Sequence, residues 1–245
     1  MAKRFIVDNQ NLEIEENKIE ISGEEVKHIQ VLRFNIGDEI HINEYICKIT
    51  DITKKSIRAD IISLAKEKGV PRNNLVLFQA LLKSDKMEYV VQKSVELGIT
   101  SFVPITTKNI VVKLDSKDRI KKQDRWNKIS KEASKQCDRT DIVNVQSVME
   151  FKEIESEFSK LDAVFFAYEQ EISSLRKAIE AVKQKGNLKK NIGILIGAEG
   201  GFTKEEAEIL SSIKNVYPVS LGERILRAET ASLNLISIIN YELEM

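Results

Sequence analysis

In the first quarter of the chain, apolar and polar residues alternate over short runs that turn residues interrupt every few positions. Residues 3–8 and 18–21 alternate as short strands. Further strands are predicted at Glu39–Ile42, Tyr45–Thr50 and Ser56–Ile62, separated by turn signals at Asn35-Ile36-Gly37-Asp38 and Asn43-Glu44. Ser22-Gly23-Glu24-Glu25 has the spacing of a capping box and predicts a short helix running through Val26, Ile29 and Val31. Closely spaced short strands with one helix predict a small β-barrel.

The pattern changes after Lys66–Asn74, a charged stretch containing Gly and Pro, so the chain divides there into 1–70 and 71–245. Beyond it, strands alternate with helices, as in a parallel α/β sheet. Strands are predicted at Leu75–Ala80, Ser101–Thr106 with Val111-Val112 after it, and Asp162–Ala167. The helix over Lys83–Gly98 has the apolar stripe Met87, Val90, Val91 and Val95, with Gly98 as its C-cap. A basic helix over 117–137 has the stripe Ile120, Trp126, Ile129, Ala133 and Cys137. Leu175, Ala178, Ile179 and Val182 define another helix, closed by Lys185-Gly186. The last helix, Ala231–Glu242, is apolar nearly all round (Leu233, Leu235, Ile236, Ile238, Ile239), which requires burial on more than one side.

Two C-terminal stretches carry the candidate chemistry. Ile194-Leu195-Ile196-Gly197-Ala198-Glu199-Gly200-Gly201-Phe202 is an apolar strand ending in a glycine-rich turn, after which Thr203 and Glu206 form a capping box. Val216–Leu221, Gly222 and the following apolar helix repeat the strand–glycine–helix order. Two such units in succession predict adjacent loops at one edge of a parallel sheet, where ligands sit beyond the carboxyl ends of the strands. Ordinary βα turns give the same pattern. Neither G-x-G-x-x-G nor a phosphate-loop G-K-[ST] is present, so the residues alone define a pocket without naming its ligand.

Charge refines this picture. The 38 basic and 38 acidic residues cancel overall, but residues 71–145 carry 15 basic and 9 acidic, a net of +6. That segment is either an electrostatic footprint for RNA phosphate or a solvated helix face. Two histidines, His28 and His41, provide no metal cluster, and Cys47 and Cys137 fit a reducing compartment rather than a disulfide framework. The N-terminus has neither signal peptide nor membrane span, so a cytoplasmic protein is expected.

"LIGAEGGFTKEE" and "LGERILRAETA" closely resemble the signature motifs of the ribosomal RNA small-subunit methyltransferase E family. The resemblance extends over essentially the whole chain, including "HIQVLRFNIGDEI", "LLKSDKMEYVVQKSVELGI" and "KQCDRT". It implies a trefoil-knotted SPOUT methyltransferase domain behind a small PUA-like β-barrel. It also implies S-adenosylmethionine as cofactor, a homodimer through the knotted domain, and 16S rRNA in the 30S subunit as partner. The reaction implied is methylation of N3 of one uridine, uridine 1498. Carried over residue by residue, the cofactor pocket comprises Leu195, Ile196, Gly197, Glu199, Gly200, Leu221, Gly222, Ile225 and Leu226. Arg227 and Arg224 would stabilise charge developing on the uracil, and Glu229, with Glu199 second, would accept the N3 proton. A salt bridge between Arg227 and Glu229 bracing the knot is the structural alternative. RNA-contact candidates are Arg4, His28, Arg33, Lys83, Lys86, Lys93, Gln92 and Arg139. A helix-surface or packed histidine is the commoner case for His28, the lysines can solvate an exposed face, and Trp126 fits the core better than a stacked base. This chain departs from the family at Ala198, where Pro is usual, and at Asp138, where Gly is frequent. The competing readings are another SPOUT RNA methyltransferase, an RNA-binding protein with a degenerate knot, and a generic α/β nucleotide-binding enzyme.

Overall fold

The structure, a computed structural model, describes residues 3–66, 68–184 and 190–244. It comprises two compact units, one of residues 1–69 with 135–141, the other of residues 70–134 with 142–245.

In the first unit the strands are β1 (Arg4–Phe5), β2 (Leu12–Glu15), β3 (Lys18–Ser22), β4 (Glu39–Ile42), β5 (Tyr45–Ile52) and β6 (Ser56–Leu64), with α1 (Glu24–Val31) after β3. They form one sheet in the order β1-β4-β5-β6-β3-β2, antiparallel except for the parallel β1–β4 pair. The alternation that predicts these strands also fills the core: Ile19 and Ile21, Ile40 and Ile42, Cys47 and Ile49, Ile57 and Ala59 all point inward, with Val26 and Ile29 of α1 among them. The Ser22 capping box does not form. Ser22 still pairs with Ser56 as the last residue of β3, so Gly23, at φ +81°, turns the chain and caps α1 without a side-chain bond. Val31 does not join the apolar stripe and stays 78% exposed.

The second unit contains β7 (Asn74–Ala80), α2 (Lys86–Glu96), β8 (Ser101–Thr106), α3 (Ser116–Gln136, its last two residues in the first unit), β9 (Asn144–Val145), β10 (Met149–Glu150), α4 (Ile154–Phe158), β11 (Ala163–Ala167), α5 (Leu175–Lys183), β12 (Asn191–Ile196), α6 (Lys204–Ser212), β13 (Val216–Val219) and α7 (Ala228–Glu244). Its sheet runs β10-β8-β7-β12-β11-β13, with β9 also on β8, and every pairing is parallel. Parallel sheets need cover on both faces, and this one has two apolar clusters. One joins Leu75, Leu77, Ile194 and Ile196 to α2, α3, α5 and α7; the other joins Val76, Phe78, Leu195 and Phe166 to α4 and α6.

Several expectations change. Val111-Val112 form no strand; Val111 lies in an exposed connection. On α3, Trp126 and Ala133 are buried as predicted, but Ile120 is 62% exposed and Ser130 and Ser134 complete the inner face. Of α7, Leu235, Ile236 and Ile239 are buried, whereas Leu233 and Ile238 are half-buried. The closing Lys185-Gly186 lies outside the described residues. The two glycine loops follow strands that are not neighbours, because β11 lies between β12 and β13. Thr203 and Glu206 do make the predicted reciprocal cap, at 3.2 and 2.9 Å. Glu206 has a second use, accepting the Lys108 N–H at 2.8 Å.

Candidate active site

β11, β12 and β13 run parallel with Ala167 opposite Val219 and Phe166 opposite Leu195, so their three following loops emerge at one end of the sheet. They surround a cavity of about 370 Å³. Tyr168 and Glu169 come from the first loop, Ile196, Gly197, Ala198, Glu199, Gly201 and Phe202 from the second, and Ser220–Arg227 from the third; Ala228 and Ala231 of α7 and Lys86 of α2 complete the wall.

Backbone geometry shapes the loops. The Ser220 N–H donates to the Ser173 carbonyl at 3.1 Å, tying the first loop to the third. In the second, Gly201 adopts φ +63° and its N–H donates to the Ala198 carbonyl at 3.0 Å. A proline at 198 would keep that carbonyl, so this turn forms with Ala198 as well. Gly197 is tightly enclosed: a Cβ would lie 3.0 and 3.1 Å from the Phe202 ring and 3.3 Å from the Gly201 carbonyl carbon. Gly222 sits at φ +110° with open space around it. Beneath the cavity, buried Gln79 donates from Nε2 to the Gly197 carbonyl at 3.2 Å and accepts the Ser232 hydroxyl at 2.5 Å.

Ile196, Gly197, Glu199, Leu221, Gly222, Ile225 and Leu226 line the cavity as expected, although Ile225 is 87% exposed. Two expected residues do not. Leu195 points to the opposite face of the sheet and packs with Phe78 and Phe166, the necessary result of strand alternation beside Ile196. Gly200 turns away to Asn109, whose Nδ2 donates to its carbonyl at 2.9 Å. Arg224 and Arg227 both line the cavity, exposed and without an ion pair among the described residues.

The Arg227–Glu229 brace is not formed. Glu229 faces Lys86 instead, Nζ to Oε2 3.5 Å, and the same ammonium lies 3.7 Å from Glu199. Glu199 also accepts the Lys83 N–H at 3.2 Å. Glu199 lines the cavity; Glu229 stands behind Lys86, its buried Oε2 without a hydrogen bond. This convergence of a lysine assigned to RNA with one carboxylate from the second loop and another from α7 has no signature in linear spacing. Gln79 was legible in principle, as a polar residue among the apolar positions Leu75–Ala80.

Among the other RNA candidates, two are buried. Arg139 is 2% exposed, its guanidinium paired with Asp141, and Arg4 donates to the Arg139 carbonyl and to His41. Both serve the interior of the first unit and present no cation to a phosphate. Burial, and then the Arg4 charge, hold His41 below the usual histidine range, so its neutral ring can accept from Arg4. Asp138 takes φ +60°, the conformation that explains a frequent Gly there. His28 pairs with Glu25 at 3.2 Å and meets Phe5 edge-on, yet remains partly exposed; Arg33 is exposed at φ +59°. Lys93 is tied to Glu96 at 2.8 Å, whereas Lys83 and Gln92 are exposed on the second unit.

Residues 70–240 match the model of the RNA methyltransferase domain family and residues 21–62 that of the RNA methyltransferase PUA domain. The ribosomal RNA small subunit methyltransferase E of Bacillus subtilis is 34% identical, covering 99% of this chain and 98% of its own; that of Aquifex aeolicus is 31% identical, covering 88% and 90%. A solved Legionella pneumophila structure, assigned as a methyltransferase and holding the cofactor SAM, superposes with a TM-score of 0.81 at 27% identity over 98% of each chain. The Neisseria gonorrhoeae ribosomal RNA small subunit methyltransferase E bound to S-adenosylmethionine shares the fold, with a TM-score of 0.80 at 24% identity over 98% and 97%.

Proposed function

The chain belongs to the ribosomal RNA small subunit methyltransferase E family, and from that premise we propose that it transfers a methyl group from S-adenosylmethionine to N3 of one uridine of 16S rRNA. The cofactor is S-adenosylmethionine, and the observation that carries the reading is the cavity built by the three loops after β11, β12 and β13. At about 370 Å³ it falls in the range of small-molecule sites, roughly 300–1,000 Å³. Ile196, Leu221, Leu226 and Ala231 offer apolar walls for an adenosine, and the Glu169 and Glu199 carboxylates suit a cationic ligand. That chemistry fits the cofactor, which supplies an activated methyl on sulfur.

What remains for the chain is to present N3, relieve it of its proton and stabilise the resulting charge. N3 lies on the pairing edge, so the uridine must be unpaired or flipped. Arg224 and Arg227, exposed at the cavity, are placed to meet negative charge spreading over the two ring carbonyls. Cavity lining supports Glu199, rather than Glu229, as the proton acceptor: Glu199 faces the cavity, and Glu229 lies across Lys86 from it.

The same reading makes residues 71–245 a trefoil-knotted SPOUT domain and residues 1–70 a PUA-like barrel that holds RNA. The three cofactor loops at one sheet end support the first, and the PUA family match supports the second. A homodimer would cover the half-buried Leu233 and Ile238 and the exposed Tyr241 of α7. No helix among the described residues is long and apolar enough to cross a membrane, and a ribosomal substrate places the work in the cytoplasm. The test is transfer of labelled methyl to 30S subunits from a strain lacking the protein, with the nucleoside identified by mass spectrometry. N3-methyluridine at position 1498 of 16S rRNA is expected. A different nucleoside would overturn the substrate, and no transfer with no cofactor binding would leave an RNA-binding relic.

A further inference from the structure

We propose that Lys86 is a positioning residue of the transfer reaction: its ammonium aims the Glu199 carboxylate at the acceptor, while Glu229 holds the ammonium in place when Glu199 takes up the proton. This deepens the reading above and rests on it. Three observations carry it. The ammonium lies between the carboxylates, at 3.7 Å from Glu199 and 3.5 Å from Glu229. All three side chains are largely withdrawn from solvent, at 32%, 25% and 16% exposure, so they interact at a lower effective dielectric than a surface pair. The carboxylates are also held differently, because Glu199 accepts the Lys83 N–H whereas the Glu229 Oε2, with no hydrogen-bond donor among the described residues, lies 3.5 Å from the Lys86 ammonium.

Two carboxylates sharing one ammonium leave a net charge of −1. When the proton passes from N3 to Glu199, an N–H bond breaks, an O–H bond forms, and its electron pair stays on the uracil. The protein cluster is then neutral: Glu199 is a carboxylic acid, and Lys86 and Glu229 remain as a compensated pair. Without Glu229 the same step would leave the ammonium unpaired against the cavity wall. Without Lys86, two neighbouring carboxylates would repel each other and Glu199 would lose the cation that aims it. Glu169 of the first loop and Glu223, Arg224 and Arg227 of the third are the other charged groups lining the cavity.

The test is single-turnover methylation as a function of 30S subunit concentration by the native protein and by Lys86→Met, Lys86→Arg and Glu229→Gln. Lys86→Met takes away the cation that aims Glu199 and slows the rate at saturating subunit at least about tenfold. Lys86→Arg restores the rate. Glu229→Gln, which removes the second carboxylate from the ammonium, slows the same step. Affinity for the subunit stays near native in all three. A Lys86→Met protein with a native rate at saturating subunit and weakened subunit binding would make Lys86 an RNA contact and overturn the proposal. Lys86→Arg keeps the test decisive if Lys86→Met fails to fold, since failure of arginine to preserve the saturated rate also overturns it. Inactivity of the native protein would instead strike the methyltransferase reading itself.

Discussion

Gly197→Ala isolates the tightest point of the cavity. The added methyl would lie 3.0 and 3.1 Å from two ring carbons of Phe202 and 3.3 Å from the carbonyl carbon of Gly201. Neither neighbour yields freely. The Phe202 ring is buried and packs edge-on to Phe166, with centroids 5.0 Å apart, and Gly201 is fixed by the hydrogen bond from its N–H to the Ala198 carbonyl. Relief therefore requires the loop to move by a few tenths of an ångström. Overpacking of this kind costs about 1–3 kcal/mol. At about 2–4 °C per kcal/mol for a chain of this length, the melting temperature should fall by about 2–12 °C. Since the displaced loop lines the cavity proposed for the cofactor, calorimetry should show S-adenosylmethionine binding weakened about tenfold, the equivalent of about 1.4 kcal/mol. An alanine variant that melts within about 1 °C of the native protein and binds the cofactor equally well would refute the steric reasoning.

Three further outcomes follow from other parts of the second unit. Arg227→Ala should slow methyl transfer by about 10²–10³-fold in single-turnover assays while calorimetry shows cofactor affinity little changed, because the cation acts on charge that develops only during reaction; native rates would remove Arg227 from the mechanism. Ser232→Ala takes the hydroxyl donor from the buried Gln79 Oε1 and should destabilise the protein by about 1–3 kcal/mol in urea unfolding, and a loss below about 0.5 kcal/mol would show that Gln79 finds another donor. The Thr106 hydroxyl, and then Arg119, hold the Glu150 carboxyl below its ordinary value, so its stabilisation is present above the unfolded carboxyl pKa and is lost as pH falls through the folded one. Glu150→Gln should accordingly melt below the native protein at pH 7 and converge with it as the pH falls through the lowered carboxyl pKa, and a gap constant across pH would exclude the ionised carboxylate as the cause.

Local pattern determined much of this protein because periodicity and capping act over a few residues. Alternation placed β4 at its observed ends, the stripe of α2 is Met87, Val90, Val91 and Val95 as read, and Thr203 with Glu206 forms the cap that its spacing demands. The glycine positions were equally legible: Gly201 and Gly222 adopt positive φ, and a side chain at Gly197 would crowd Phe202 and Gly201. What sequence could not determine is which residues meet across the fold. Register decided that Leu195 faces away from the cavity while Ile196 lines it, and strand order inserted β11 between the two glycine-bearing strands. Burial turned Arg4 and Arg139 from RNA candidates into interior residues, since a guanidinium bound to a carbonyl, a neutral His41 or Asp141 is no longer available to phosphate. Ser22 had the composition of a cap but remained in a strand ladder, because pairing with Ser56 uses the same backbone. Lys86, Glu199 and Glu229 lie far apart in the chain and became a cluster only when α2, the second loop and α7 converged. Sequence specifies each element through interactions a few residues long, whereas a charged site depends on distances between elements, and only the packed sheet and helices set those.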